Sequence, residues 1–201
     1  MDGVTRANRF VEGVLSGLDV PQTVRDACKR HKKDLERKDL WFDEKSANIA
    51  IRTIEKLKHA KGRWQGKPIV LEDWQCFFVC SLFGWKKGDK RRFRYAYLQL
   101  PRKNGKTLLA ICIALLMFGP DMEPGAEVYL GATSQDQAKD LLFLPAKFIV
   151  NACKKFKERF GVEVNASNLV IPANFSVFKS VIKKPDDGTN PHWRWIVTGK
   201  Q

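Results

Sequence analysis

Long apolar runs are missing from this chain. The longest, residues 108–118, falls well short of the ~20 residues that span a bilayer, and the N-terminus has no apolar core of the kind a secretory signal carries. Both absences argue against integral-membrane and secreted classes, and a cytoplasmic protein is expected. Cysteine is scarce and odd in number. Cys28, Cys76, Cys80, Cys112 and Cys153 are scattered along the chain, which suits free thiols in a reducing compartment better than a disulfide framework. Cys28 with His31 and Cys76 with Cys80 can be written as a zinc set, but the tight double knuckle is lacking, and buried structural thiols are the expectation. No internal repeat or low-complexity tract is present, and the composition is neither fibrous nor disordered.

Acidic residues are the other shortage. Lys+Arg total 36 against Asp+Glu 22, a formal net charge of +14 and a pI near 9.7. That excess favours polyanionic partners by long-range attraction, so contact with DNA or RNA is expected. A plainer reading is that the basic residues solvate helix faces. What is present in quantity is apolar side chain, 44% of the 201 residues, enough for one ordinary domain with a core and a small helical appendage.

Residues 1–62 read as a basic helical N-terminal region. Pro21 opens PQTVRDACKRHKKDLERK, whose dense charge leaves a narrow apolar stripe. Ser46 is expected to cap a helix with Ala47, Ala50, Ile51, Ile54 and Leu57 on one face. The break GRWQGKP at 62–68 sets the boundary of a second domain, 63–201. There a helix is expected from about Glu72 to near Gly84, with Glu72 and Asp73 where the helix dipole favours acids. FRYAYLQL (93–100) has the period-two alternation of a strand. LLAICIALLMF is apolar all round and therefore a central helix. Pro124-Gly125 turns into a strand over 127–132. Ser134 and Gln137 have capping-box spacing ahead of a helix over about 135–157, which Pro145 kinks or interrupts. A hairpin is expected around Pro172-Ala173-Asn174, a loop over KKPDDGTNP, and a last strand at WRWIV (193–197).

The chemistry concentrates in PRKNGKT (101–107), between the alternating run and the apolar one. A nucleotide-binding loop sets backbone N–H groups around phosphates at a helix N-terminus, with glycine allowing close approach. Its lysine adds a mobile positive charge, and the next Ser or Thr holds magnesium. Gly105-Lys106-Thr107 supplies that triplet. The glycine usual five residues before the GK glycine is replaced by Leu100. The order strand, tight loop, apolar helix points to an α/β fold of the P-loop NTPase type, a mostly parallel sheet flanked by helices.

PRKNGKT, preceded by KPIVLEDWQ and followed by EVYLGATSQDQAKDL, resembles the large terminase subunit of tailed bacteriophages, in its N-terminal packaging ATPase domain. The resemblance covers roughly residues 65–197, and the family's loop is Arg-led and lacks the first glycine in the same way. It implies ATP and magnesium as cofactors, with Gln75 of Trp74-Gln75 reading the adenine edge through its amide. Arg102 would approach the terminal phosphates and stabilise transition-state charge, with Lys106 as the loop lysine and Thr107 on the metal. Lys103, Asn104 and Gly105 would complete the cradle, mainly by backbone. From the residues alone, Gln75 and Arg102 read equally as surface positions, and GATSQDQAK as a capped helix start. Implied partners are double-stranded DNA, the small terminase subunit and the portal or prohead, in the cytoplasm of a host cell and away from any membrane, with an oligomer among the assemblies the resemblance allows.

Hydrolysis also requires a carboxylate at the tip of an apolar strand to help hold magnesium, and a Glu to orient water. In the family that strand ends in Asp-Glu, whereas here WRWIV is followed by Thr198-Gly199-Lys200-Gln201. Asp186 and Asp187 lie before the strand and read as turn residues. The expectation is a truncated ATPase domain with an incomplete sheet and no nuclease domain, which binds nucleotide and scarcely hydrolyses it. The alternatives are a basic nucleic-acid-binding module, a helicase-type P-loop protein, or an inert fragment that self-associates through an aromatic-rich surface.

Overall fold

The computed structural model of the chain describes residues 1–101, 103–121, 123–132, 138–182 and 194–197. The chain divides into two compact units, residues 1–55 with 70–98, and residues 56–69 with 99–201. The glycine and proline break at 62–68 thus lies within a segment of the second unit.

The first unit is built on four helices, three of them capped by side chains. α1 (Gly3–Leu15) starts at Asp2, whose carboxylate accepts the Thr5 N–H at 3.0 Å. α2 (Gln22–Leu35) follows Pro21 directly, and α3 (Glu44–Glu55) follows Asp43. Asp43 accepts both the Ser46 N–H, at 2.9 Å, and the Ser46 hydroxyl. Asp43 is therefore the cap, and Ser46 lies inside the first turn. α4 (Asp73–Gly84) opens with a capping box in which Glu72 and Gln75 each bond the other's backbone N–H, satisfying two otherwise orphaned donors.

Val4, Ala7, Val11 and Val14 recur at three- and four-residue spacing on α1 and are buried, as are Ala47, Ala50, Ile51 and Ile54 on α3. Both helices pack on α4. Three short strands close the unit: β1 (Trp41–Phe42), β2 (Trp85–Lys87) and β3 (Lys90–Arg91), antiparallel in the order β1-β2-β3. The hairpin turns at Gly88, where φ is 61°. Behind it, the Trp85 Nε1–H donates to His31 Nδ1 at 3.1 Å. Buried Asp34 pairs with Arg92 and Arg37.

Residues 93–100 are not the expected strand, because no ladder is assigned to them. The aromatic side of their alternation faces solvent, with Tyr95 91% and Tyr97 82% exposed. A strand needs a backbone partner as well as a pattern.

The second unit is α/β. Its sheet runs β5 (Glu163–Val164), β6 (Asn168–Ile171), β7 (Ser176–Ile182), β4 (Glu127–Ala132), β8 (Arg194–Val197). β7, β4 and β8 are mutually parallel neighbours, while β5, β6 and β7 pair antiparallel, so the parallel character is confined to one half. The hairpin between β6 and β7 turns through Pro172–Asn174, as expected, with Phe175 left-handed at φ 58°.

α5 (Lys106–Phe118) begins at the expected lysine and is buried on nearly every side from Leu109 onward. Phe118 meets Phe178 of β7 edge-on at 5.7 Å. The expected long helix after β4 is three pieces: a π-helical segment Ala138–Phe143, α6 (Leu144–Ala152) and α7 (Lys154–Phe160). Pro145 sits in the first turn of α6, where a missing N–H costs nothing. The second break is at Cys153, with φ −109° and ψ 68°, whose Sγ accepts the Lys58 N–H at 3.2 Å. All five cysteines are free and buried. Among the described residues no helix is long and apolar enough to cross a membrane.

Candidate functional site

The site begins with the backbone that leads into α5. Gly105 is its N-cap, left-handed at φ 73° and ψ 8°, a conformation that costs glycine little. Lys103 is also left-handed, at φ 69°, and for a residue with a Cβ this costs about 1–2 kcal/mol. Such strain concentrates at ligand clamps. Between them, the Asn104 Nδ2–H donates to the Pro101 carbonyl at 3.4 Å, tying the turn across its base. Sequence alone marks Gly105 and Asn104 as the residues for such a turn, and nothing in it marks Lys103.

The turn leaves donors in place. The Leu109 N–H bonds the Gly105 carbonyl at 2.9 Å, so the amides of Lys106, Thr107 and Leu108 precede the first intrahelical bond, and the N-cap, a glycine, has no side chain to cap them. These groups carry the partial positive charge of the helix end. Lys103, Asn104, Gly105 and Thr107 are exposed and Lys106 is half-buried. The structure thus brings five of the seven candidate residues into one turn and presents them outward.

Position relative to the sheet follows from lengths. α5 has 13 residues and β4 six, so each spans about 20 Å. The helix packs back on the strand that follows it, and the link between them is pinned at the amino end of β4 by the Gly125 N–H to the Asn174 carbonyl, 2.6 Å, and the Ala126 N–H to Ser176 Oγ, 3.1 Å. The amino end of α5 therefore returns to the level of the carboxyl ends of the parallel strands, where ligands of open α/β sheets sit.

Arg102 lies outside the described residues, as do Ser134, Gln137, Asp186, Asp187 and residues 198–201. Gln75 is in the first unit, on α4, and its Oε1 accepts the Glu72 N–H at 2.8 Å. Its carbonyl is therefore committed to capping, and the amide NH2 is the end left to address a ligand. The Glu72-x-x-Gln75 spacing carried that signal in the sequence. Asp73 beside it pairs with Arg9 at 2.6 Å and Arg6 at 3.6 Å, and the Arg9 hydrogen bond is the main reason its carboxyl is held below the ordinary range.

The thiols are not nucleophiles. Burial pushes Cys28 and Cys76 up to about 11 and Cys80 to about 12, and raises Cys112 and Cys153 as well. Burial also lowers His31 to about 4, so it is neutral near pH 7. Among the described residues no group of three or more His, Cys, Asp or Glu is placed to hold a metal ion. The oxygen donor the loop itself offers is the Thr107 hydroxyl. A loop hydroxyl that shares magnesium with phosphate oxygens and water fits that metal's preference for few protein ligands.

Comparison with known proteins follows the same line. The family model described as terminase large subunit, ATPase domain, matches residues 73–196, more than half of the chain. The crystal structure of the HK97 bacteriophage large terminase matches with a TM-score of 0.58 and 25% sequence identity. The match covers 72% of this chain and 29% of that one, so the chain spans under a third of that protein's length. No curated protein sequence matches.

Proposed function

The chain belongs to the terminase large subunit ATPase-domain family, and from that premise we propose that it is the nucleotide-binding part of the motor that packages double-stranded DNA into proheads. The observation that carries this reading is the doubly left-handed turn at Lys103 and Gly105, which delivers Lys106 and Thr107 to an uncapped helix end. In this reading the amides of residues 106–108 hold the terminal phosphates of ATP, the Lys106 ammonium sits against the same oxygens, and the Thr107 hydroxyl is a ligand of magnesium. The metal, when bound, neutralises phosphate charge. Arg102 adds a second cation at the head of the loop, and the Gln75 amide reads the base. The family's wider partners, the small terminase subunit and the portal or prohead, belong to the same proposal.

Calorimetry with ATP and magnesium should show binding that Lys106→Ala weakens about tenfold or more. Thr107→Ala should remove the gain that magnesium brings. No binding, or binding indifferent to Lys106, overturns the site.

A further inference from the structure

Residues 56–69 form a surface feature that the nucleotide site does not use. The segment KLKHAKGRWQGKPI contains Lys56, Lys58, Lys61, Arg63 and Lys67 and no acid. It is a pinned loop. The His59 N–H donates to the Lys67 carbonyl at 2.9 Å, the Gly66 N–H to the His59 carbonyl at 3.0 Å, and the Ile69 N–H to the Leu57 carbonyl at 2.9 Å. Gly62 and Gly66, both at φ 77°, make the two bends. Leu57 and Ile69 are buried at its base, and everything from 61 to 68 is exposed.

At the tip, Trp64 is 48% exposed. The Arg63 guanidinium and the Lys67 ammonium each lie 5.1 Å from its ring centroid, within cation–π range. The ring holds two cations that would otherwise swing freely. Among the described residues no carboxylate pairs with Lys58, Lys61, Arg63 or Lys67. The other basic stretch, α2, is compensated differently, carrying Asp26 and Asp34 with its lysines and pairing Lys32 with Glu12. Fixing like charges together with no counter-charge is unfavourable in isolation, and a polyanion relieves it.

We propose that this loop is a contact surface for the phosphate backbone of duplex DNA, with Lys58, Lys61, Arg63 and Lys67 on the phosphates and Trp64 positioning two of them. The pinned backbone and the shared ring meet part of the ordering cost before binding. The contact deepens the packaging reading and rests on it for the choice of duplex as the polymer. It does not depend on the nucleotide loop.

The test is fluorescence anisotropy of a labelled duplex with the full chain across a salt series, alongside a single strand of equal length. The variant Lys61→Gln/Arg63→Gln/Lys67→Gln should reduce the slope of log K against log salt by about 2.7. It should weaken binding at least tenfold at 0.1 M salt. The variant Lys29→Gln/Lys33→Gln/Lys38→Gln removes the same net charge from exposed positions elsewhere and should keep the wild-type slope. Trp64→Ala should weaken binding with the slope retained, and Trp64→Tyr should restore part of the loss. Equal slope loss in both triple variants overturns the proposal, because attraction would then follow net charge alone. Single-strand binding tighter than duplex overturns the choice of polymer. Lys106→Ala should leave DNA affinity unchanged while losing ATP, so the two sites fail independently.

Discussion

Acidification should destabilise the first unit through a single imidazole. His31 is 6% exposed, and its ring stands edge-on to Phe42, Phe77 and Trp85 with centroids 5.2–5.6 Å apart in that cluster. Its Nδ1 accepts the Trp85 indole N–H, so the neutral ring carries its proton on Nε2 and a second proton has no acceptor here. Burial, with a smaller push from Lys32 and against the pull of Asp34, lowers it from the ordinary 6.5 to about 4. The sign follows from proton uptake. Above pH 6.5 both folded and unfolded chains hold a neutral ring, and stability is complete. Between 6.5 and 4 the unfolded chain takes up the proton and the folded chain does not, so stability falls with pH at about 1.4 kcal/mol per unit. From pH 7.5 to 4.5 the loss is about 2–3 kcal/mol.

Carboxylates do not confuse that window. Asp2, Asp39, Asp43 and Asp73 are lowered from the ordinary 3.8, and depressed acids lose their stabilisation as pH falls from that unfolded value toward the folded ones, mostly below the window. Urea unfolding by tryptophan fluorescence at several pH values should show the decline. His31→Phe should flatten it, while costing about 1–3 kcal/mol at pH 7.5 because the Trp85 N–H is left without its acceptor. An unchanged slope between pH 7.5 and 4.5 in His31→Phe would refute the assignment.

Three further substitutions test the packing and capping of the same unit. Gly84→Ala places a Cβ 2.5 Å from Phe42 Cε2 and 3.2 Å from Ala47 Cβ. It should destabilise by about 1–3 kcal/mol in urea titration, and a neutral result would mean Phe42 can move aside. Asp43→Ala removes the acceptor of the Ser46 N–H and hydroxyl. A loss of about 1 kcal/mol is expected, whereas Ser46→Ala should cost less, and the reverse order would restore Ser46 as the cap.

The contrast between Asp43 and Ser46 shows where sequence reading reached its limit. Both are good capping residues, and the choice between them depends on where β1 delivers the chain, a tertiary fact. The strand over 127–132, the hairpin at 172–174 and the start of α5 were legible because each joins a periodic run to a glycine, proline or asparagine whose backbone preference is local. The residues 93–100 alternate as well as β4 does, but β4 lies between two partners and they have no assigned ladder. Alternation reports which faces differ in polarity and says nothing about who supplies the hydrogen bonds. The break at Cys153 was invisible for a related reason. NACKKF contains no glycine or proline, and the thiol that takes the Lys58 N–H comes from a part of the chain 95 positions away.

The candidate site divides along the same line. GKT predicted a helix start, and the helix starts there, because the glycine's left-handed freedom and the apolar run are both local properties. The strained Lys103 was not predictable, since no propensity favours a lysine in that region. Its conformation is imposed by the closure of the turn between Pro101 and Gly105. The charge told less still. An excess of +14 spread evenly and the same excess gathered on one pinned loop look alike in a composition. Only the folded chain separates α2, where Lys32 pairs with Glu12, from residues 56–69, where Arg63 and Lys67 share a tryptophan instead. A net charge can therefore predict that a polyanion is attracted, but the place where it docks is set by which charges the fold leaves uncompensated.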